Sequence, residues 1–128
     1  MNCAAWAKKY NVPYSIHSDA PITPLNPLFT ASCVVNRLTS SGYLLGQEHR
    51  ISVQDALYAI TMGAAFTLGM EKEVGSLEVG KFADLAILDQ DPFAVSSTNL
   101  HTIPIWGTMV GGAVSYTHLR AHETLRYL

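Results

Sequence analysis

Charge is what this chain has least of. Aspartate, glutamate, lysine and arginine make up 14 % of its 128 residues, against roughly 25 % in an ordinary globular domain, while 48 % are hydrophobic. So much apolar material under so few charges is expected to bury surface against something outside the chain. The 8 basic and 10 acidic residues leave a net charge of −2, and no basic cluster forms the electrostatic footprint of a nucleic-acid binder. No apolar run approaches the roughly 20 residues of a membrane-spanning helix. Residues 1–9 lack the basic-then-apolar layout of a secretory signal. The two cysteines, Cys3 and Cys33, form no CxxC, so neither a metal knuckle nor a redox dithiol is indicated; reduced, buried thiols in a cytoplasmic protein are expected.

What is present reads as helices and strands with one conspicuous polar junction. Residues 1–9 read as the end of an amphipathic helix: Trp6 with Ala5 and Tyr10 makes the helical contacts, Lys8 and Lys9 suit its last turn, and Asn11 can end it. A chain that starts inside a helix and passes at once into a core strand is expected to be a piece of a longer one. The apolar run 12–16 then reaches His17-Ser18-Asp19-Ala20-Pro21, where the proline forces it out of regular structure. Strand period places His17 and Asp19 on one face and Ser18 on the other. A histidine and an aspartate at the C-terminal end of a buried strand stand where α/β enzymes keep their chemistry. A merely solvated strand end has the same pattern, and both readings stay open at this point.

Pro21, Pro24 and Pro27 make the following loop stiff. Asn26 before Pro27 matches an N-cap with proline at the first helical position. A helix is expected over 27–38, with Leu28, Ala31, Val34, Val35 and Leu38 as its apolar stripe. A second helix is expected over 52–68. Ser52 and Asp55 open it as a variant capping box, and Val53, Ala56, Leu57, Ile60, Ala64 and Leu68 form one buried face. Gly63-Ala64-Ala65 permits close approach of a neighbouring element, and Gly69 is placed to end the helix in a left-handed conformation. Beyond Met70 glycines punctuate β-prone runs over 82–88 and 103–110, and Gly111-Gly112 is a two-residue hairpin turn into 113–116. Helices followed by small strands place a domain boundary near Met70. The strands are too few for a closed sandwich, which again implies missing partners.

Several separated motifs, in this order, resemble the C-terminal end of the metal-dependent amidohydrolase superfamily, closest to the amidohydrolase family 3 branch that includes N-substituted formamide deformylases. They are His17-Ser18-Asp19-Ala20-Pro21 with Thr23-Pro24-Leu25-Asn26-Pro27-Leu28; Val35-Asn36-Arg37; Arg50-Ile51-Ser52-Val53 leading into Ala56-Leu57 and Ile60-Thr61; Gly75-Ser76-Leu77-Glu78-Val79-Gly80-Lys81-Phe82-Ala83-Asp84-Leu85; and Gly107-Thr108-Met109-Val110-Gly111-Gly112. The resemblance covers residues 3–114. It implies an α/β fold: residues 12–19 as the eighth strand of a (β/α)₈ barrel, 27–38 among the helices that close it, and 75–114 as the C-terminal part of a small composite β-sandwich. The implied division is 1–70 for the end of the barrel and 71–114 for the sandwich. Asp19 falls where the family keeps its single metal-binding aspartate, which accepts a proton from the attacking water. His17 is the weaker candidate, for orienting substrate or packing behind the site. Asn36 and Arg37 read as a helix-end hydrogen bond or ion pair.

The resemblance implies a hydrolase acting on non-peptide carbon–nitrogen bonds of small amides or formamides, with a divalent metal, zinc being the expected one. Its partners would be that substrate and the missing N-terminal part of the same protein, with no nucleic acid or membrane. The family's His-x-His pair is absent from this sequence. One carboxylate cannot hold a catalytic zinc, which takes about three protein ligands, so the chain by itself is expected to be inactive. The alternatives are a non-catalytic β-rich interaction module and a pseudo-enzyme fragment; a binding module has no reason to place an acid behind a proline-braced loop. Of the loops that would shape specificity only 20–26 is present, a stiff wall where Leu25 and Leu28 could offer an apolar contact. Residues 115–128 resemble translated adapter sequence from assembled sequencing reads and are read as a non-native tail. The i, i+4 pair His118 and His122, followed by Glu123, is accordingly given no role.

Overall fold

The computed structural model describes residues 3–117. Helix α1 (Ala4–Lys9) carries Lys8 and Lys9 in its last turn, and the chain leaves it through Asn11 at φ 53°. Trp6 is set edge-on against the buried His49, with ring centroids 5.0 Å apart. Helix α2 (Pro27–Asn36) begins as its sequence dictates: Pro27 is in the first turn, and the Asn26 side chain accepts the Phe29 N–H at 3.1 Å. It stops before the expected Leu38 because Arg37 turns left-handed (φ 57°) and Leu38 instead pairs with Leu44 in an isolated bridge. Leu28, Ala31 and Val34 are buried as the stripe requires. Cys33 falls off that stripe and is exposed, against the expectation of a buried thiol; Cys3 is half-buried, its Sγ 4.0 Å from His49 Nε2.

The capping box forms: Ser52 Oγ accepts the Asp55 N–H at 3.1 Å, and the Asp55 carboxylate accepts from Ser52 in return. The helix it opens, however, is two helices, α3 (Val53–Ile60) and α4 (Met62–Thr67), broken at Thr61 (φ −119°, ψ −93°). There the Thr61 hydroxyl donates to the Leu57 carbonyl at 2.7 Å and competes with the helical ladder. After the break Gly63 comes so close to Tyr14 that an added Cβ would lie 2.5 Å from the Tyr14 carbonyl oxygen. The small residues therefore allow the close approach their sequence suggests. Gly69 ends α4 at φ 71°.

Three antiparallel strands follow in the order β1 (Leu85–Leu88), β2 (Ile105–Val110), β3 (Ala113–Thr117). Gly111 (φ 57°) and Gly112 (φ 82°) turn the β2–β3 hairpin, both at the positive φ a two-residue turn of this kind demands. The strand expected over 82–88 is shorter, because residues before it brace that turn: Asp84 Oδ1 accepts the Gly111 N–H at 2.6 Å and the Ala83 carbonyl accepts the Gly112 N–H at 3.1 Å. That is the use of the lone acid in an apolar run. Tyr116 and Thr117, within the expected tail, pair with β2, while His118, His122 and Glu123 lie outside the described residues.

The core joins the two halves of the chain. Ala4, Leu28, Ala31, Val34, Ile51 and Ala56 pack with Leu100 and Ile103, and Tyr14 and Ile16 lean on the same cluster. Asn36 ties the junction: its side-chain amide donates to the Ser97 carbonyl at 2.8 Å and its Oδ1 accepts from the Ser97 hydroxyl at 2.8 Å. Its backbone carbonyl accepts Arg50 Nε at 3.1 Å, so the helix-end role expected of Asn36 is what is found. Residues 12–18, expected as a strand, form neither helix nor ladder. The three strands of the described residues pair only with one another, and residues 12–18 join neither edge of their sheet. No helix among the described residues is long and apolar enough to cross a membrane.

Candidate active-site segment

Asp19 is exposed and is reached by a chain held from one side only. Tyr14 and Ile16 face the core, Gly63 backs Tyr14, and Ser15 Oγ receives the Thr67 hydroxyl at 3.1 Å. Burial, and then the negative charge of Asp55, push the Tyr14 phenol above its ordinary pKa, so it stays neutral. At Asp19 the backbone turns to φ 51° instead of continuing as a strand. Aspartate is among the few residues that tolerate this region, and the Ala20-Pro21 that follows is turn-forming; those were the available signals. The Ile22 N–H donates back to the Asp19 carbonyl at 2.9 Å across the cis Ala20–Pro21 bond. Thr23 adds a hydroxyl bond to the Ser18 carbonyl.

The expected strand alternation is therefore replaced by a direct link: the Asp19 backbone N–H donates to His17 Nδ1 at 3.1 Å. The structure joins the two singled-out residues through the main chain of one and the ring of the other. His17 also lines two clefts. The larger, about 270 Å³, lies among Ile16, Leu25, Asn26, Thr30 and Ile60. The smaller, about 170 Å³, has Thr23, Phe29, Cys33 and Arg37 around it. Burial pushes the Cys33 thiol above its ordinary range, although the residue as a whole is exposed, so it is no activated nucleophile. Leu25 lines the larger cleft as the loop reading anticipated, but Leu28 is turned into the core, because the stripe of α2 claims it. Thr30 and Ile60 were not foreseen as cleft residues; both come from helices whose sequence announces only packing.

Arg37 is used locally: its Nε donates to the Leu45 carbonyl at 3.0 Å, and its own carbonyl accepts the Leu45 N–H at 2.9 Å. Among the described residues no three histidine, cysteine, aspartate or glutamate side chains gather in a way that could hold a metal ion. Chemically, this segment offers one solvent-facing carboxylate, one imidazole with a nitrogen already engaged, and a mostly apolar cleft beside them.

Comparison with known proteins gives this geometry its context. The chain is 33 % identical over 102 residues to the protein YtcJ of Bacillus subtilis, covering 77 % of the chain and 19 % of that protein. It is 31 % identical over 105 residues to the N-substituted formamide deformylase of Arthrobacter pascens, covering 82 % of the chain and 19 % of the enzyme. The chain thus spans about a fifth of the length of these relatives. The crystal structure of an amidohydrolase from Thermotoga maritima superposes with a TM-score of 0.67 at 23 % identity, over 89 % of this chain and 25 % of that one. The fold is therefore a mixed α/β piece that matches part of an amidohydrolase. The amidohydrolase family profile matches residues 3–116, and the chain belongs to that family.

Proposed function

We propose that the chain is the C-terminal part of a metal-dependent hydrolase that cleaves non-peptide carbon–nitrogen bonds in small amides or formamides. Residues 12–19 would be the eighth strand of its barrel, with α2 among the closing helices. Residues 71–114 would belong to a β-sandwich completed by the N-terminal part of the same protein. Asp19 would be the carboxylate this part brings to the reaction centre. The family match across nearly the whole chain supports the reaction class, and the exposure of Asp19, next in the chain to the cleft residues His17 and Ser18, supports the assignment.

The residues present do not fit a catalytic metal by themselves. Asp19 is one carboxylate, His17 Nδ1 already accepts the Asp19 N–H, and a catalytic zinc takes about three protein ligands. The other ligands would come from outside the chain. What Asp19 supplies is a base: its carboxylate would take a proton from the attacking water and return it to the leaving nitrogen. The apolar cleft bounded by Leu25 and Ile60 would receive the uncharged part of the substrate.

The test is kinetic. In the full-length enzyme, read by extending the coding sequence upstream, Asp19→Asn is expected to lower kcat on an N-substituted formamide by about 10²- to 10⁴-fold. Unchanged kcat would remove Asp19 from the chemistry. Failure of the wild-type enzyme on both formamides and simple amides would overturn the substrate class.

A further inference from the structure

His17 is a histidine that would be read as a substrate or metal residue, yet its Nδ1 is already occupied. The ring nitrogen accepts the backbone N–H of Asp19 at 3.1 Å, two residues on. Since the donor is an amide, Nδ1 carries no proton, and the neutral ring holds its proton on Nε2. The residue it grips is one of three non-glycine residues at positive φ among those described; the other two, Asn11 and Arg37, end helices. Asp19 ends no helix. Its conformation is set on one side by the His17 ring and on the other by the Ile22 N–H, which donates to its carbonyl at 2.9 Å.

From this geometry we infer that His17 is a positioning residue: it locks the backbone of Asp19 and so aims the Asp19 carboxylate, instead of binding substrate or metal through Nδ1. The inference rests on the reading of Asp19 as the reacting carboxylate and goes beyond it, assigning to His17 a role that acts wholly through its neighbour. A carboxylate on an exposed turn gains little as a base unless its backbone is fixed, because misplacement of a catalytic group by about 1 Å can cost on the order of 100-fold. The segment before Asp19 is held on its core side by Tyr14 and Ile16, and the turn after it by Thr23 on Ser18. The His17 ring is the only side chain among the described residues given a hydrogen bond to the Asp19 main chain.

Substitutions separate this role from the alternatives. His17→Asn keeps a side-chain oxygen able to accept the N–H two residues on, as in an Asx turn. His17→Phe keeps an aromatic ring and removes the acceptor. In the full-length enzyme His17→Phe is expected to lower kcat about 10- to 100-fold with KM little changed, and His17→Asn to recover most of the loss. If both variants instead raise KM alike at unchanged kcat, His17 binds substrate and the inference is overturned.

A second measurement needs no activity. In ¹⁵N spectra of the 128-residue chain, His17 is expected as the Nε2–H tautomer, with the Asp19 amide proton shifted from its random-coil position and moved towards that position by His17→Phe. An Nδ1–H tautomer, or an Asp19 amide at its random-coil position in the unsubstituted chain, overturns the inference. Asp19→Asn distinguishes the two levels. If Asp19→Asn leaves kcat intact, the reading of Asp19 fails. If it abolishes turnover while His17→Phe changes nothing, only the positioning role of His17 fails.

Discussion

Helices α2 and α3 and the segment 12–26 lie against one another, but only the helices are complete in themselves. Asn26 and Ser52 cap them, Arg37 and Thr61 end them, and Leu28, Ala31, Val34 and Ala56 are buried between them and residues 100–103. The segment has the opposite character. It makes no ladder, only Tyr14 and Ile16 of its apolar residues reach the core, and Val12, Ile22 and Leu25 stay 55 %, 77 % and 85 % exposed. A helix satisfies its backbone internally and needs one partner face, whereas a strand needs neighbours along its whole length. A mixed α/β piece that matches only part of an amidohydrolase fold therefore keeps good helices, while residues 12–18 join no ladder.

That contrast can be broken at its strongest point first. Leu100 is fully buried where the C-terminal half meets α2, and Leu100→Ala is expected to cost about 2–5 kcal/mol of stability. Chemical denaturation of the 128-residue chain would read this; a cost near zero would mean that the two halves do not share a core. Gly63→Ala strikes the seam between the helices and the segment, since its Cβ would lie 2.5 Å from the Tyr14 carbonyl oxygen. Backbone must move to admit it, at about 1–3 kcal/mol. The Thr67–Ser15 contact, followed by chemical shifts at Ser15 and Tyr14, should be disturbed before α3 is.

The smallest effect sharpens the helical side alone. Burial by itself would raise the pKa of Asp55, but hydrogen bonds from Lys8 and Ser52, with the Lys8 charge, outweigh it and hold the carboxyl below the ordinary range. A folded pKa below the unfolded one stabilises the chain fully above the unfolded value of about 3.9 and loses that contribution as pH falls through the folded value. The partner Lys8 is 57 % exposed, so the contribution is at most about 1 kcal/mol. Asp55→Asn should flatten the fall in denaturation midpoint over that acid range and leave α2 and the segment unchanged.

The same contrast explains what could be read from residues alone. Asn26-Pro27, Ser52-Asp55, Gly69 and Gly111-Gly112 specify caps and turns through local chemistry, and each acts as written. The break at Thr61 is not legible because Thr61 sits in a run of helical period, and the bond of its hydroxyl to the Leu57 carbonyl shows only in the structure. The segment departs from its expected strand for the complementary reason: its apolar alternation is real, but alternation describes a strand whose neighbours are present. The motif singles out Asp19 as a candidate but not its turn, since a period of two has no place for a left-handed residue. The candidate position is legible in the residues, and its geometry is not.

The proposed function gives this chain one part of a reaction centre whose remainder lies in the rest of the protein. It is tested most directly by measuring hydrolysis of an N-substituted formamide, with zinc supplied, by the 128-residue chain alone and by the full-length protein. No turnover above background is expected from the chain, and the full-length protein is expected to turn over at a rate that Asp19→Asn lowers about 10²- to 10⁴-fold. Hydrolysis by the chain alone would contradict it.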